Sequence, residues 1–142
     1  MKVVYDTNVI LDVLANRMPF ADDSHAATSL AFSENVEGAI TSNCVTDIAY
    51  QLRRVYPSAA TRTILLDILS SLSVISVSHD DCLRACASEV DDFEDALMMV
   101  CAQRWGADRI ITRDKKDFAQ SSIPALTPTT FLVEMQGEAS TL

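Results

Sequence analysis

The chain has 142 residues, 49% of them hydrophobic and only three of them Gly, which is the size and composition of a compact globular domain and not of a disordered chain. Its 20 acids against 11 Lys and Arg give a net charge of −9, which argues against a general nucleic-acid coating protein. No apolar run approaches the ~20 residues of a membrane span, and the strand-like start at Met1-Lys2-Val3 leaves no room for a signal peptide, so a cytoplasmic protein is expected.

Val3-Val4-Tyr5 reads as a short buried strand, and 8–16 as the helix after it, broken by Pro19. A second helical stretch covers 20–36, with Gly38 in the usual post-helix position. A weak strand over 39–42 precedes a helix capped by Ser42 or Asn43, which runs to about Tyr56 before Pro57 stops it. Its apolar stripe is 45, 48, 49, 52 and 55. The next helix, 58–72, carries Ile64, Leu65, Ile68 and Leu69 on one face. A strand over 74–77 and a short helix over 80–88 follow. A helix over 92–105 is closed by Gly106, and a strand covers 109–112. Ala125-Leu126 is a possible short strand, and Thr127-Pro128 starts a helix over 129–135.

Strands alternating with helices predict an α/β protein whose central, mostly parallel sheet is covered on both faces. No repeat or linker interrupts the pattern, so one domain over 1–135 is expected, with a frayed tail at 136–142. Cys44, Cys82, Cys86 and Cys101 contain no CxxC pair, and buried reduced thiols are the expected state.

The acids carry the chemistry. Asp6-Thr7-Asn8 follows the first strand; any of the three also makes a good N-cap. Asp47 lies at the border of its helix's apolar stripe, where a solvated first-turn Asp explains it equally well. In Asp92-Phe93-Glu94-Asp95-Ala96, Phe93, Ala96, Leu97, Val100 and Cys101 form a buried stripe, and Asp92, Asp95 and Met99 line an adjacent face. Two carboxylates in a first turn suit a metal, although helix starts are ordinarily acid-rich. Asp114 directly follows a strand, in Thr112-Arg113-Asp114-Lys115-Lys116-Asp117-Phe118, which also reads as a charged turn. Acids recurring where strands end or helices begin can converge at one rim of a parallel sheet. Unpaired, they repel one another and call for a divalent cation.

Setting aside Asp6, Asp47, Asp92, Asp95, Asp114 and Asp117 leaves 14 acids against 11 Lys and Arg, a balance of −3, so an RNA substrate is weakened but not excluded. Arg53, Arg54, Lys115 and Lys116 are the candidate phosphate-backbone contacts. His25 and His79 fall outside every motif, which disfavours metal-free His acid–base cleavage. No GxSxG, Walker A or GxGxxG pattern occurs.

Taken in order, Asp-Thr-Asn after the first strand, an acid on a middle helix, Asp-Phe-Glu-Asp-Ala and Thr-Arg-Asp-Lys-Lys-Asp-Phe resemble the PIN-domain family. These are metal-dependent ribonucleases, many of them VapC-like toxins of toxin–antitoxin pairs. The resemblance runs from Met1 to about Leu132 and includes the ending Ile123-Pro124-Ala125-Leu126-Thr127-Pro128 with Phe131-Leu132. It implies a three-layer α/β/α sandwich and a pocket of three or four acids holding Mg²⁺ or Mn²⁺. Matched by motif, Asp6, Asp47, Asp95 and Asp114 are the family acids, with Asp6, Asp95 and Asp114 as metal ligands. Asn8, Asp92, Thr112 and Asp117 would support them, and Asp92 or Asp117 could replace Asp95 or Asp114. Many relatives carry Glu where this chain has Asp47. The resemblance also implies an antitoxin partner and a homodimer; no membrane association is expected, from the absence of a long apolar run. Two other readings compete: a PIN-like module that binds RNA or protein without cutting, and a phosphoacceptor receiver domain. The second needs an Asp after the middle strand, where this chain has Ser76-Val77-Ser78.

Overall fold

The structure, a computed structural model, describes residues 1–141. In chain order it comprises β1 (Lys2–Tyr5), α1 (Thr7–Leu14), α2 (Ala21–Ser29), a 3-10 turn (Leu30–Phe32), β2 (Glu37–Thr41), α3 (Ser42–Arg53) and α4 (Ser58–Ser71). The second half holds β3 (Ser73–Ile75), α5 (His79–Ala87), α6 (Phe93–Trp105), β4 (Arg109–Ile111), a second 3-10 turn (Lys115–Phe118), β5 (Ala125–Leu126) and α7 (Pro128–Ser140). The five strands form one sheet of order β3-β2-β1-β4-β5, and every neighbouring pair is parallel.

The two-residue alternation of strands sorts the core into two layers. Val3, Tyr5, Ile40 and Ile111 face one side, packing with Val9, Ile10, Cys44, Ile48 and Leu52 of α1 and α3, with α4, and with Phe131 of α7. Val4, Ala39, Ile75 and Ile110 face the other, against Ala85 of α5 and Ala96, Leu97, Cys101 and Ala102 of α6. This is the expected α/β/α sandwich with the sheet in the middle layer.

Several elements differ from the sequence reading for identifiable reasons. The stretch 20–36 is not one helix: α2 ends at Ser29, a 3-10 turn follows, and Gly38 lies inside β2. Gly38 is there for space. A Cβ on it would meet Ala31 Cβ at 2.7 Å, Leu72 Cδ2 at 2.9 Å and Tyr5 Cε2 at 3.0 Å. Thr41, and neither Ser42 nor Asn43, is the N-cap residue of α3, because β2 runs directly into that helix. The stripes are shorter than the spacing predicts: Val55 lies beyond the end of α3 at Arg53 and is exposed, and Leu69 of α4 is exposed as well. Helix α6 is buried over more of its circumference than a stripe, from Ala96 to Met99 and again at Cys101 and Ala102, yet Phe93 itself, its first residue, is exposed. Helix α7 continues to Ser140 beyond the expected end at Met135. Cys44 and Cys101 are buried free thiols, as expected, whereas Cys86 is free and exposed.

Helix α6 starts and stops as its sequence dictates. The Asp92 carboxylate accepts from the Asp95 N–H, and Gly106 closes the helix at φ 80°, the left-handed conformation that glycine tolerates. Substituting Gly38→Ala is expected to destabilise the fold by about 1–3 kcal/mol through overpacking. Urea unfolding at unchanged m-value checks this, and an unchanged midpoint would show that Ala31 and Leu72 yield freely.

Candidate functional site

Order β3-β2-β1-β4-β5 means that the chain leaves β1 in one direction across the sheet and returns to β4 on its other side. The crevice past the C-terminal ends of β1 and β4 is therefore the topological switch point, where open parallel sheets bind ligands. Tyr5 and Ile111 are paired in register, so the residues that follow them, Asp6 and Thr112, are placed side by side. The hydroxyl of buried Thr112 donates to Asp6 Oδ2 at 2.8 Å and accepts the Asp114 N–H at 3.1 Å. Asp6 occupies the N-cap position of α1, but its carboxylate makes no cap hydrogen bond. Two residues on, Asn8 Nδ2 donates to Asp114 Oδ2 at 2.9 Å and Asn8 Oδ1 accepts from the Arg113 N–H. The chain after β4 is thus clamped to the start of α1.

A pocket of about 470 Å³ opens at this crevice, walled by Asp6, Asn8, Asp47, Asp92, Glu94, Asp95, Asp114 and Asp117. Helix α3 contributes Asp47, the first turn of α6 contributes Glu94 and Asp95, and the 3-10 turn after β4 contributes Asp117. All four acids singled out by motif line one cavity, together with Asn8, Asp92 and Asp117. Asp92 serves additionally as the cap of α6.

Sequence reasoning passed over four residues in this region. Glu94 faces the pocket, and burial followed by the charges of Asp47 and Asp92 raises its pKa. Asn43, one residue into α3, lines the pocket and has a buried Oδ1 without a hydrogen-bond partner. Arg17, after α1, is the only cation in the pocket wall among the described residues. Arg53, Arg54 and Lys115 do not line the pocket, and Lys116 lines a neighbouring depression with Asp92, Asp95 and Asp117. Asp12 is wholly buried on α1 and forms an ion pair with Arg113 (Nε to Oδ2 2.7 Å) and a looser one with Arg17 (3.8 Å). Its signal was available, since Asp12 interrupts the otherwise apolar run Val9-Ile10-Leu11-Asp12-Val13-Leu14.

The electrostatics follow from crowding seven acids around a single wall cation, Arg17, which is itself paired with Asp12. Burial raises the pKa of Asp6; the hydrogen bonds from Thr112 and the Thr7 backbone oppose this, and Asp114 and Asp117 add to it. Burial, then Asp92, Asp6, Asp117 and Glu94, lift Asp95 to about 7. The thiol of Cys44, buried beneath the same acids, is pushed up to about 12.

Among the described residues no group of three or more His, Cys, Asp or Glu converges as a ready-made metal cage, so the tight set of ligands implied by the resemblance is not preformed. The donor set nonetheless fits a hard divalent cation. It is all oxygen, it is strained by its own charge, and it includes the unpartnered Asn43 Oδ1. Mg²⁺ characteristically keeps several waters and needs only one or two direct carboxylates.

Comparison with known proteins bears on this geometry. A PIN domain family model matches residues 2–116. The chain belongs to the PIN domain family. Its fold is also that of solved PIN proteins from toxin–antitoxin systems. A toxin–antitoxin complex from Klebsiella pneumoniae superposes with a TM-score of 0.66 at 26% identity, over 89% of this chain and 97% of that one. VapBC2 from Rickettsia felis, bound to a DNA fragment from its promoter, gives 0.67 at 17% identity over 89% and 98%. Mycobacterium tuberculosis VapC20, a toxin that cleaves the sarcin–ricin loop, gives 0.66 at 16% identity over 83% and 94%. No curated protein sequence matches the chain. No helix among the described residues is long and apolar enough to cross a membrane.

The raised carboxyl pKa values make a stability prediction for the metal-free PIN domain. A carboxyl whose folded pKa exceeds its unfolded value holds its proton more tightly when folded. The stability it contributes is complete below about pH 4, and it is lost as pH climbs towards the value of about 7 at Asp95. Tm of the metal-free chain is therefore expected to fall between those limits, and Asp95→Asn to flatten the fall. Parallel pH profiles of thermal unfolding in chelator check it; coincident profiles would contradict the repulsion.

Proposed function

We propose that this PIN protein is a Mg²⁺- or Mn²⁺-dependent endoribonuclease and the toxin of a toxin–antitoxin pair. The observation that carries the proposal is the pocket itself. Asp6 and Asp95 are held at raised pKa first by burial and then by neighbouring acids, Asp114 and Asp117 at Asp6 and Asp92, Asp6, Asp117 and Glu94 at Asp95, in the crevice at the switch point of the sheet. Asp6, Asp95 and Asp114 would hold the cation, with Asp47, Asp92 and Asp117 acting directly or through water. When bound, the cation supplies Lewis acidity towards a phosphoryl oxygen and lowers the pKa of a water ligand.

The chain's own residues do the rest. Thr112 keeps Asp6 turned into the crevice, and Asn8 fixes the orientation of Asp114. With both held by hydrogen bonds, little ordering is left to be done when substrate arrives. The acids repel RNA from the metal-free pocket, so binding of the strand waits on the cation, and Arg17 is the one wall residue that attracts a phosphate unaided. Candidate contacts beyond the pocket are Lys115, Lys116, Arg53 and Arg54, all exposed. The toxin assignment draws on the likeness to the Klebsiella complex and to VapBC2. An antitoxin would cover the pocket and offer a basic side chain to its carboxylates, and pairing of two copies and a cytoplasmic location complete the reading.

The lack of a preformed cage favours a second reading, a PIN module that binds RNA without cutting it. One assay separates the two. Single-stranded RNA of mixed sequence is incubated with wild-type protein and with Asp6→Asn, in Mg²⁺ or Mn²⁺ and in chelator. Cleavage is expected to need the cation and to drop by more than about 100-fold in Asp6→Asn, with far-UV circular dichroism unchanged. Equal cleavage by Asp6→Asn would remove the site assignment. Binding without cleavage by either protein would leave the module.

A further inference from the structure

Arg113, the partner of buried Asp12, also lines a second and different cavity. It has a volume of about 360 Å³, within the ~300–1,000 Å³ range of small-molecule sites, and its walls include Phe20, Asp23, Ser24, Arg113, Pro128 and Thr129. Its position is set by the same segment that carries the catalytic candidates, because Arg113 is bonded to Asp114 and its N–H is held by Asn8.

Three features give this cavity a chemical character. First, it is flat-sided and apolar: the Phe20 ring, with Arg113 Cζ stacked 4.3 Å from its centroid, and Pro128 supply surfaces suited to a planar ring. Second, an acceptor-only group stands in the wall. The Asp23 carboxylate receives the Thr129 hydroxyl on Oδ2, and Oδ1 has no partner among the described residues. Third, Ser24 is wholly buried in that wall and its hydroxyl has no hydrogen-bond partner. An unmet buried hydroxyl is uncommon and marks a place where a polar partner is missing.

A phosphate does not match this set, because Asp23 would repel it. A nucleobase does: proteins that read RNA stack an unpaired base on aromatic or guanidinium planes and hydrogen-bond its Watson–Crick edge. A carboxylate can only accept, so it selects the edge richest in donors. Guanine offers N1–H and the N2 amino group side by side, whereas adenine, cytosine and uracil each offer a single donor group there.

We propose that the Phe20–Arg113–Asp23 cavity is a nucleobase subsite that seats one unstacked base of the RNA substrate, guanine in preference to the others, and so fixes where the acidic pocket cuts. This rests on the ribonuclease reading. The base enters against Phe20, its donor edge meets Asp23, and the neighbouring phosphate is carried past Arg113 to Asp114. Specificity thus comes from a shaped wall beside the cation site and not from the hydrolytic chemistry.

Two measurements test it on the full chain. Amide shifts of the protein are followed by NMR while 5′-GMP, 5′-AMP or ribose 5-phosphate is added. Shifts at Phe20, Asp23, Ser24, Arg113 and Thr129 are expected with GMP, weaker ones with AMP and none with ribose 5-phosphate. Equal shifts with ribose 5-phosphate, or none with GMP, overturn the subsite. In parallel, oligoadenylates carrying one guanosine at successive positions are digested by wild type, Phe20→Ala, Phe20→Tyr and Asp23→Asn in Mg²⁺. Cuts are expected at a fixed offset from the guanosine. Phe20→Ala is expected to raise KM about tenfold with kcat little changed, Phe20→Tyr to restore it, and Asp23→Asn to remove the guanosine preference. Cut positions and KM identical across the four proteins overturn the proposal. If no protein cuts any RNA yet GMP shifts the named amides, the ribonuclease reading fails and the base site stands.

Discussion

The parallel pairing of β1 with β4 is the constraint from which the site derives. These strands are distant in sequence, and nothing local joins them, but the register that sets Tyr5 beside Ile111 delivers Asp6 and Thr112 to adjacent positions. The hydroxyl of Thr112 then has two tasks, donating to the Asp6 carboxylate and accepting from the Asp114 backbone. Asn8 repeats the arrangement two residues along, donating to the Asp114 carboxylate and accepting from the Arg113 backbone. Helices α3 and α6 approach the same crevice from opposite faces of the sheet, so Asp47 and Asp95 arrive from different layers. A shift in the β1–β4 register would separate all of these groups at once.

The treatment of acids elsewhere in the molecule makes the pocket's charge meaningful. Asp81 is buried, but it accepts from Arg104 and from the Ser78 capping box, and its carboxyl is held far below the usual range. Arg109 and Glu134 form a second close pair. Asp12 has Arg113 and Arg17; burial still raises its pKa, and both arginines oppose that. In these places an acid that must be buried is given a cation. At Asp6 and Asp95 it is not, and their pKa values rise accordingly. Like charges brought together without compensation destabilise a fold unless something outside the chain neutralises them. The cluster is therefore an excess of like charge that the chain does not itself offset, and its all-oxygen donor set suits a divalent cation.

Much of this was legible from the sequence because it was written in local signals. Alternating apolar runs and helical stripes gave the order of strands and helices, and acids at strand ends pointed to one rim. What the sequence concealed was non-local. Gly38 reads as a helix stop because glycine commonly is one; its real role, making room for Ala31, Leu72 and Tyr5, exists only once β2 lies beside β1. Val55 continues the helical spacing of the stripe, but α3 ends at Arg53 and leaves that side chain exposed. Asn43 read only as a cap, and Glu94 was hidden between two aspartates that drew the attention. Arg17 sits in a turn whose direction no propensity reveals. Arg53 and Arg54 are attractive by proximity in sequence to Asp47, yet they lie six and seven residues further along, outside the pocket wall that ends on this helix at Gln51.

The account stands on the claim that these carboxylates form one cation site. Calorimetric titration of Mn²⁺ into the metal-free protein near neutral pH, repeated in buffers of different ionisation enthalpy, tests that claim most directly. One saturable class of site is expected, with proton release into the buffer because Asp95, at about 7 when metal-free, must give up its proton. Asp6→Asn should lose both the binding and the proton release. Featureless heats from the wild-type protein at millimolar Mn²⁺, or binding that survives in Asp6→Asn, would contradict the account.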